Sequence, residues 1–237
     1  MASKVFLITG NAGQGKTTIA KNIALAMRSF GFDVLLVDGD PRTPKLRFHT
    51  QMPLADKCIQ DALTKKRELR EVIYTRPSGL KVVLGSYVKG APHPSTMFEE
   101  LQAFAGVVVV DVPMFDASWY ACGEVVAVTH PDFPSLLEVN RLAKQARISK
   151  VIINRSYDDE SDISPGNAQH VLEAPIAGVV PDEPQCRHAL KQYAALLDVA
   201  PQVRASVVLK AIAAKLLNVS YTPPGKEVPL LVKLGVW

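Results

Sequence analysis

"GNAGQGKTT", residues 10–18, decides how the rest of the chain is read. Gly10, Gly15, Lys16 and Thr17 stand at the G-x-x-x-x-G-K-T spacing of a phosphate-binding loop. The strand-like run "VFLIT" (5–9) leads into it, and the helical pattern "IAKNIALAMRSFG" (19–31) leads out. Glycines let successive backbone N–H groups turn inward around an anion, and the positive end of the following helix dipole points at the same place. The residues expected to hold a nucleotide are therefore Gly10, Asn11, Ala12, Gly13, Gln14, Gly15, Lys16, Thr17 and Thr18. Lys16 is expected to reach the β- and γ-phosphates, and Thr17 to ligate Mg²⁺ through its hydroxyl. A mere glycine-rich turn with an exposed lysine would not need the strand before it and the helix after it.

The same alternation continues down the chain. "VLLVD" (34–38), "LKVVL" (80–84), "VVVVD" (107–111), "VVAVT" (125–129), "KVIIN" (150–154) and "IAGVV" (176–180) join residues 5–9 as nearly continuous apolar runs. Such runs are buried on both faces, as in parallel sheets. Helical patterns occupy residues 16–30, 55–74, 95–105, 134–147, 185–196 and 201–217. The pattern predicts an α/β fold, a doubly wound, mostly parallel sheet of about seven strands with helices on both faces. Residues 1–218 read as one domain and 219–237 as a proline-broken tail. The acidic stretch 156–167 reads as a surface loop.

Two further runs end in carboxylates. "VLLVDGDP" carries Asp38 and Asp40, and "VVVVDVP" carries Asp111. In an open parallel sheet, ligands bind beyond the carboxyl ends of the strands, so these groups converge on the edge that holds the phosphate loop. With Thr17, Asp38 and Asp111 are the expected Mg²⁺ ligands, because Mg²⁺ takes oxygen donors. The bland alternative for each Asp is a cap or a turn.

Composition narrows the classes. The chain has 237 residues, a net charge of +4, 48% hydrophobic and 21% charged residues. That suits one large soluble domain with a real core. The mild basic excess does not point strongly to DNA, and "KKRELR" (65–70) reads as a solvated mixed-charge face. Cys58, Cys122 and Cys186 are far apart, which excludes a paired-cysteine zinc or iron–sulfur site and fits a reducing compartment. With no signal peptide and no apolar stretch of spanning length, a cytoplasmic location is expected.

These motifs together resemble the MinD/ParA family of P-loop ATPases, over roughly residues 4–217. "VDGDPRTPKL" is similar to the family's first switch, and the resemblance puts Asp40 where water is activated; Lys16 and Asp40 are then the catalytic residues. "VVVVDVP" resembles its second switch, and "THPDFPSLLEVNRL" a segment that contributes dimer contacts. "VIINR" puts Asn154, with Arg155 beside it, at the adenine position. "IAGVVPDEPQCRHAL" puts Pro181 and Asp182 in the segment that closes over the base. The resemblance implies binding of ATP or ADP with Mg²⁺, slow hydrolysis, an ATP-dependent homodimer, an unidentified protein partner, and a role in spatial positioning or partitioning.

The chain departs from that family twice. The signature lysine that crosses to the partner's phosphate is replaced by Asn11, an uncharged and shorter donor. The second switch has Phe115 where the family has glycine. Neither touches the cradle, so binding is expected to survive, with hydrolysis slow. Two other readings stay open. One is a module that binds ATP without turnover. The other is a bacterial-type P-loop tyrosine kinase, whose C-terminal tyrosine cluster is reduced here to Tyr221. The tail "KEVPLLVKLGVW" (226–237) reads as a contact element, either a peripheral membrane-targeting segment or a latch folded back on the domain, the latch being the favoured of the two.

Overall fold

The computed structural model describes residues 3–223. The tail element expected over residues 226–237 lies outside them.

Apolar alternation builds the sheet. In β1 (Lys4–Thr9), Phe6 and Ile8 point to one face and Val5 and Leu7 to the other, and all four are buried. The period of two along a strand allows both faces to be filled only if layers cover each side. The other strands are β2 (Val34–Asp38), β3 (Ile73–Thr75), β4 (Lys81–Val83), β5 (Val107–Asp111), β6 (Glu124–Thr129), β7 (Ile148–Ser156) and β8 (Ile176–Pro181). Among the described residues they form one sheet of eight in the order β3-β4-β2-β5-β1-β6-β7-β8. Every pairing is parallel except β3 with β4.

One face is covered by α1 (Lys16–Ser29), packed beside a long helix that ends the described domain, Arg204–Leu217. Their inward residues include Ile19, Ile23 and Met27 from the first, and Leu209, Ile212 and Leu216 from the second. The remaining helices are α2 (Ile59–Leu63), α3 (Phe98–Gln102), α4 (Ala117–Tyr120), α5 (Phe133–Ala143), α6 (Pro165–Leu172), α7 (Pro184–Lys191) and α8 (Leu196–Val199), which makes the long one α9. Trp119 of α4 and Leu136 and Val139 of α5 belong to the core on the opposite face. Burying a large apolar side chain contributes about 1.5–3 kcal/mol, so these two layers supply the bulk of the stabilisation.

The expected doubly wound sheet is present, with one strand more than the expected seven. That strand, β3, begins inside the stretch expected to be one helix over 55–74. The helix stops at Leu63 because Lys65 takes a left-handed φ of 59° and the N–H groups of Lys66 and Arg67 turn back onto the Asp61 carbonyl. The charged run that follows has little apolar surface to bury, and the chain re-enters the sheet at Ile73. Helix α6 falls in no expected helix. It starts at a Ser164 cap with Pro165 in the first turn, a start signal at the end of the stretch read as loop.

Candidate functional site

The loop between β1 and α1 is shaped by three glycines in positive φ: Gly10 (153°), Gly13 (85°) and Gly15 (88°). Gly15 caps α1 with no side chain, leaving the first N–H groups of the helix free of an internal acceptor. A Cβ at Gly10 would run into the Val128 carbonyl of β6, and one at Gly15 into the Asn154 amide of β7. The loop is thus pressed against two strands to one side of β1.

Asn154 is the clamp on that side. Its Nδ2 donates to the Gln14 carbonyl at 2.8 Å and the side chain is buried. Arg155 follows with a left-handed φ of 57°, where the pairing of β7 with β8 shifts register between Asn154 and Ser156. Pro181 ends β8 opposite Ser156, and the Asp182 N–H donates to the Ser156 carbonyl at 2.8 Å. The structure therefore brings Asn154, Arg155, Pro181 and Asp182 to the end of β7 and β8, and ties the first of them directly to the loop. A second clamp has no signature in the sequence: Gln14 Nε2 donates to Ser135 Oγ at 2.9 Å, and Ser135 donates to Asp132 at 2.8 Å. Gln14 Oε1 stays buried with no partner among the described residues.

On the other side lie the carboxylates. Asp38 and Asp111 are register partners at the ends of the neighbouring strands β2 and β5, and both are buried. Thr17 Oγ1 donates to Asp111 Oδ2 at 2.5 Å, joining the first turn of α1 to β5. Asp111 Oδ1 is buried and has no partner among the described residues. Asp38 accepts from the Leu46 N–H at 2.9 Å and the Asp40 N–H at 3.3 Å. Burial, and then the neighbouring Asp111 charge, push the Asp38 carboxyl up to about 7. Burial also raises Asp111, to about 6, against the opposing pull of Lys16 and the Thr17 hydroxyl. Two buried carboxylates side by side, one with an orphaned oxygen, form a donor set that suits a hard divalent cation.

Asp40 lies close enough for its charge to act on Asp38 and Asp111, and it also holds a turn. Its carboxylate closes the turn over 40–43, accepting from the Arg42 N–H and the Thr43 N–H, each at 2.9 Å, and from the Thr43 hydroxyl at 2.8 Å. Partial burial alone would raise this group. The Thr43 and Arg42 hydrogen bonds, with the Lys16 charge, outweigh that and hold it below the usual carboxylate range. No group of three acidic, histidine or cysteine side chains among the described residues is placed to hold a metal. Asp40 thus forms a turn beside Lys16, Asp38 and Asp111, while Thr17 is bonded directly to Asp111.

The two departures have definite geometry. Asn11 Oδ1 accepts from the Ala12 N–H at 2.8 Å, so the side chain folds onto its own loop. Phe115 sits at a φ of 62° with its ring exposed, so the backbone keeps a conformation that favours glycine. Just beyond it, Trp119 is fully buried and donates from Nε1 to the Gly39 carbonyl at 2.9 Å, linking the segment after β5 to the segment after β2.

Comparison with known proteins agrees with the fold. Residues 5–206 match the CobQ/CobB/MinD/ParA nucleotide binding domain. An uncharacterized ATP-binding protein of Methanocaldococcus jannaschii is 26% identical, over 93% of this chain and 90% of that protein. Among solved structures, the septum site-determining protein MinD of Pyrococcus horikoshii, complexed with Mg-ADP, superposes with a TM-score of 0.81 at 23% identity, covering 91% of this chain and 96% of that one. The MinC:MinD cell division protein complex of Aquifex aeolicus gives 0.82 at 21% identity, covering 95% and 100%. The chain belongs to the CobQ/CobB/MinD/ParA nucleotide-binding domain family.

Proposed function

We propose that this chain binds Mg·ATP or Mg·ADP through residues 10–18, hydrolyses ATP slowly, and acts as an ATP-dependent dimerising switch in spatial positioning or partitioning. The observation that carries the reading is the 2.5 Å bond from Thr17 to Asp111 at the mouth of the glycine loop, with the second Asp111 oxygen buried and unpartnered among the described residues. In this reading the loop N–H groups and Lys16 hold the phosphates, while Thr17, Asp38 and Asp111 hold Mg²⁺. The ion supplies positive charge beside the transferring phosphoryl group. Asn154, Arg155, Pro181 and Asp182 take the base side. A homodimer and a further protein partner are supported by the family and by the likeness to the Aquifex MinC:MinD complex. No helix among the described residues is long and apolar enough to cross a membrane.

The test is titration calorimetry with Mg·ATP and Mg·ADP on wild type and Lys16→Ala. Loss of the ammonium removes charge-assisted hydrogen bonds worth about 1.5–3 kcal/mol each, so affinity is expected to fall on the order of 100-fold or more. Equal affinity in the two proteins would sink the assignment.

A second reading, binding without turnover, is favoured by Asn11, whose side chain is uncharged and folds onto its own loop. Asp40 accepts two N–H bonds at Oδ1 and one hydroxyl bond at Oδ2, which leaves Oδ2 an acceptor position for water. Asp40→Ala separates the two. A fall in turnover with affinity kept marks a hydrolytic group. Identical background rates in both proteins mark a switch that does not hydrolyse.

A further inference from the structure

The segment after β2 holds three cations, Arg42, Lys45 and Arg47. Arg47 is engaged in structure, its guanidinium donating to the Gly85 carbonyl at 3.1 Å. Arg42 sits in the exposed turn that Asp40 closes. Lys45 is exposed, and no carboxylate lies within ion-pair distance of its ammonium among the described residues.

The backbone on both sides of Lys45 is pinned beside the buried carboxylates. Leu46 follows it, fully buried, and its N–H donates to Asp38 Oδ2 at 2.9 Å. Pro44 precedes it and lies with Asp38 against Gly85, just after β4. A Cβ on Gly85 would come within 2.8 Å of the Pro44 ring and 3.0 Å of the Asp38 carboxyl carbon. Asp38 is in turn the register partner of Asp111, which accepts from Thr17 in the first turn of α1. Lys45 and Lys16 therefore approach one carboxylate pair from two directions, Lys45 from the β2 side and Lys16 from the β1 side. Burial raises the Asp111 carboxyl, and the charges of Lys16 and Lys45 both act against it.

The glycine loop itself supplies one ammonium, that of Lys16. Asn11 is uncharged and its Oδ1 is taken by the Ala12 N–H. A γ-phosphoryl group spreads further negative charge over three oxygens, and Mg²⁺ bridges it to the β-phosphate. With Mg²⁺ held at Thr17, Asp38 and Asp111, the γ-phosphoryl group is the part of the nucleotide beside the carboxylate pair. Resting on that reading of the site, we propose that Lys45 binds the γ-phosphoryl oxygens of Mg·ATP within the same chain and makes the site prefer triphosphate to diphosphate. A lysine ammonium is a compact charge on a flexible stem with three rotatable donors, which suits a group that is present in one nucleotide and absent from the other. A lysine that is merely solvated, the ordinary state of an exposed cation, would not tell the two apart.

The test is titration calorimetry with Mg·ADP and with the magnesium complex of an ATP analogue whose β–γ bridge is nitrogen, on wild type, Lys45→Ala and Arg42→Ala. Lys45→Ala is expected to lose affinity for the analogue by about tenfold or more, the effect of one charge-assisted hydrogen bond, and to keep its affinity for Mg·ADP. Arg42→Ala, the same change of charge on the same segment, should alter neither. Thermal unfolding without nucleotide checks that both variants are folded. Equal loss for the two nucleotides overturns the proposal, because it marks general attraction. Wild-type binding of both by Lys45→Ala also overturns it and leaves the site at residues 10–18 standing. A wild type that binds neither nucleotide overturns that site, and this proposal with it. A Lys45→Ala effect confined to protein concentrations at which the chain dimerises overturns the placement, in favour of a lysine that reaches into a second copy.

Discussion

Two loops leave neighbouring strands at the candidate site, and both require left-handed backbone. After β1 the requirement is met by Gly10, Gly13 and Gly15. After β5 it falls on Phe115. The difference is what surrounds each position. At Gly10 and Gly15 a Cβ would meet strand atoms, so crowding and torsion both select glycine. At Phe115 the side chain faces outward, so the cost is torsional alone, about 1–2 kcal/mol. That cost is borne because the chain is held just beyond. Asp116 caps α4, accepting from the Ser118 N–H at 3.3 Å, and pairs with His93 at 3.0 Å. Trp119 then anchors the turn to Gly39 at 2.9 Å. Glycine is needed where a Cβ would strike the carbonyl or side-chain amide of a neighbouring strand; elsewhere, packing on either side can hold an unfavourable torsion.

The sharpest way to break this comparison is Gly15→Ala. It adds left-handed strain and displaces the Asn154 amide from the Gln14 carbonyl. Together these are expected to lower stability by about 3 kcal/mol in urea unfolding and to weaken nucleotide binding. An unchanged midpoint would show that crowding does not decide the loop.

The loop's side of the comparison also assumes that α1 is a firm anchor, and Lys21 tests that. It is buried, and its Nζ donates to the Ala194 carbonyl at 2.5 Å. Burial, then the Arg76 charge, lower its amine to about 7, with Asp198 opposing. Between pH 7 and the ordinary lysine value of 10.5, the unfolded chain holds a proton that the folded chain lacks. Wild-type stability is therefore expected to rise with pH across that window and to stay level below it. Lys21→Met should remove this rise and stabilise the protein at pH 7 by about 2 kcal/mol. Parallel pH profiles for the two proteins would show that the helix carries no such burden.

The smallest effect is expected from Phe115→Gly. Relief of the torsion is partly offset by the extra freedom of glycine in the unfolded chain, so a gain of about 1 kcal/mol or less is expected in thermal unfolding. A loss would mean that the ring is packed against something that stabilises it.

The sheet and the loop are legible because each is set by local chemistry. Strands 5–9, 34–38 and 107–111 follow from apolar runs that only a sheet covered on both faces can bury, and the loop from glycine spacing between a strand and a helix. The helix expected over 55–74 is not legible as a break, because nothing in "KKRELR" marks Lys65 as the left-handed residue. That Asp38 and Asp111 meet at one edge is legible, but that they are register partners is not. Their register depends on β5 lying between β2 and β1, which strand order alone decides. Asp40 has the residue type and spacing for the trio, but nothing in the local pattern shows that the Thr43 hydroxyl and two N–H groups also bond to it once the chain turns. The clamp from Gln14 to Ser135 joins residues 121 positions apart. Local pattern determined seven of the eight strands and the glycine loop between β1 and α1. Tertiary structure decided which side chains remain free to act there, because hydrogen-bond partners distant in sequence become neighbours only when the sheet is assembled.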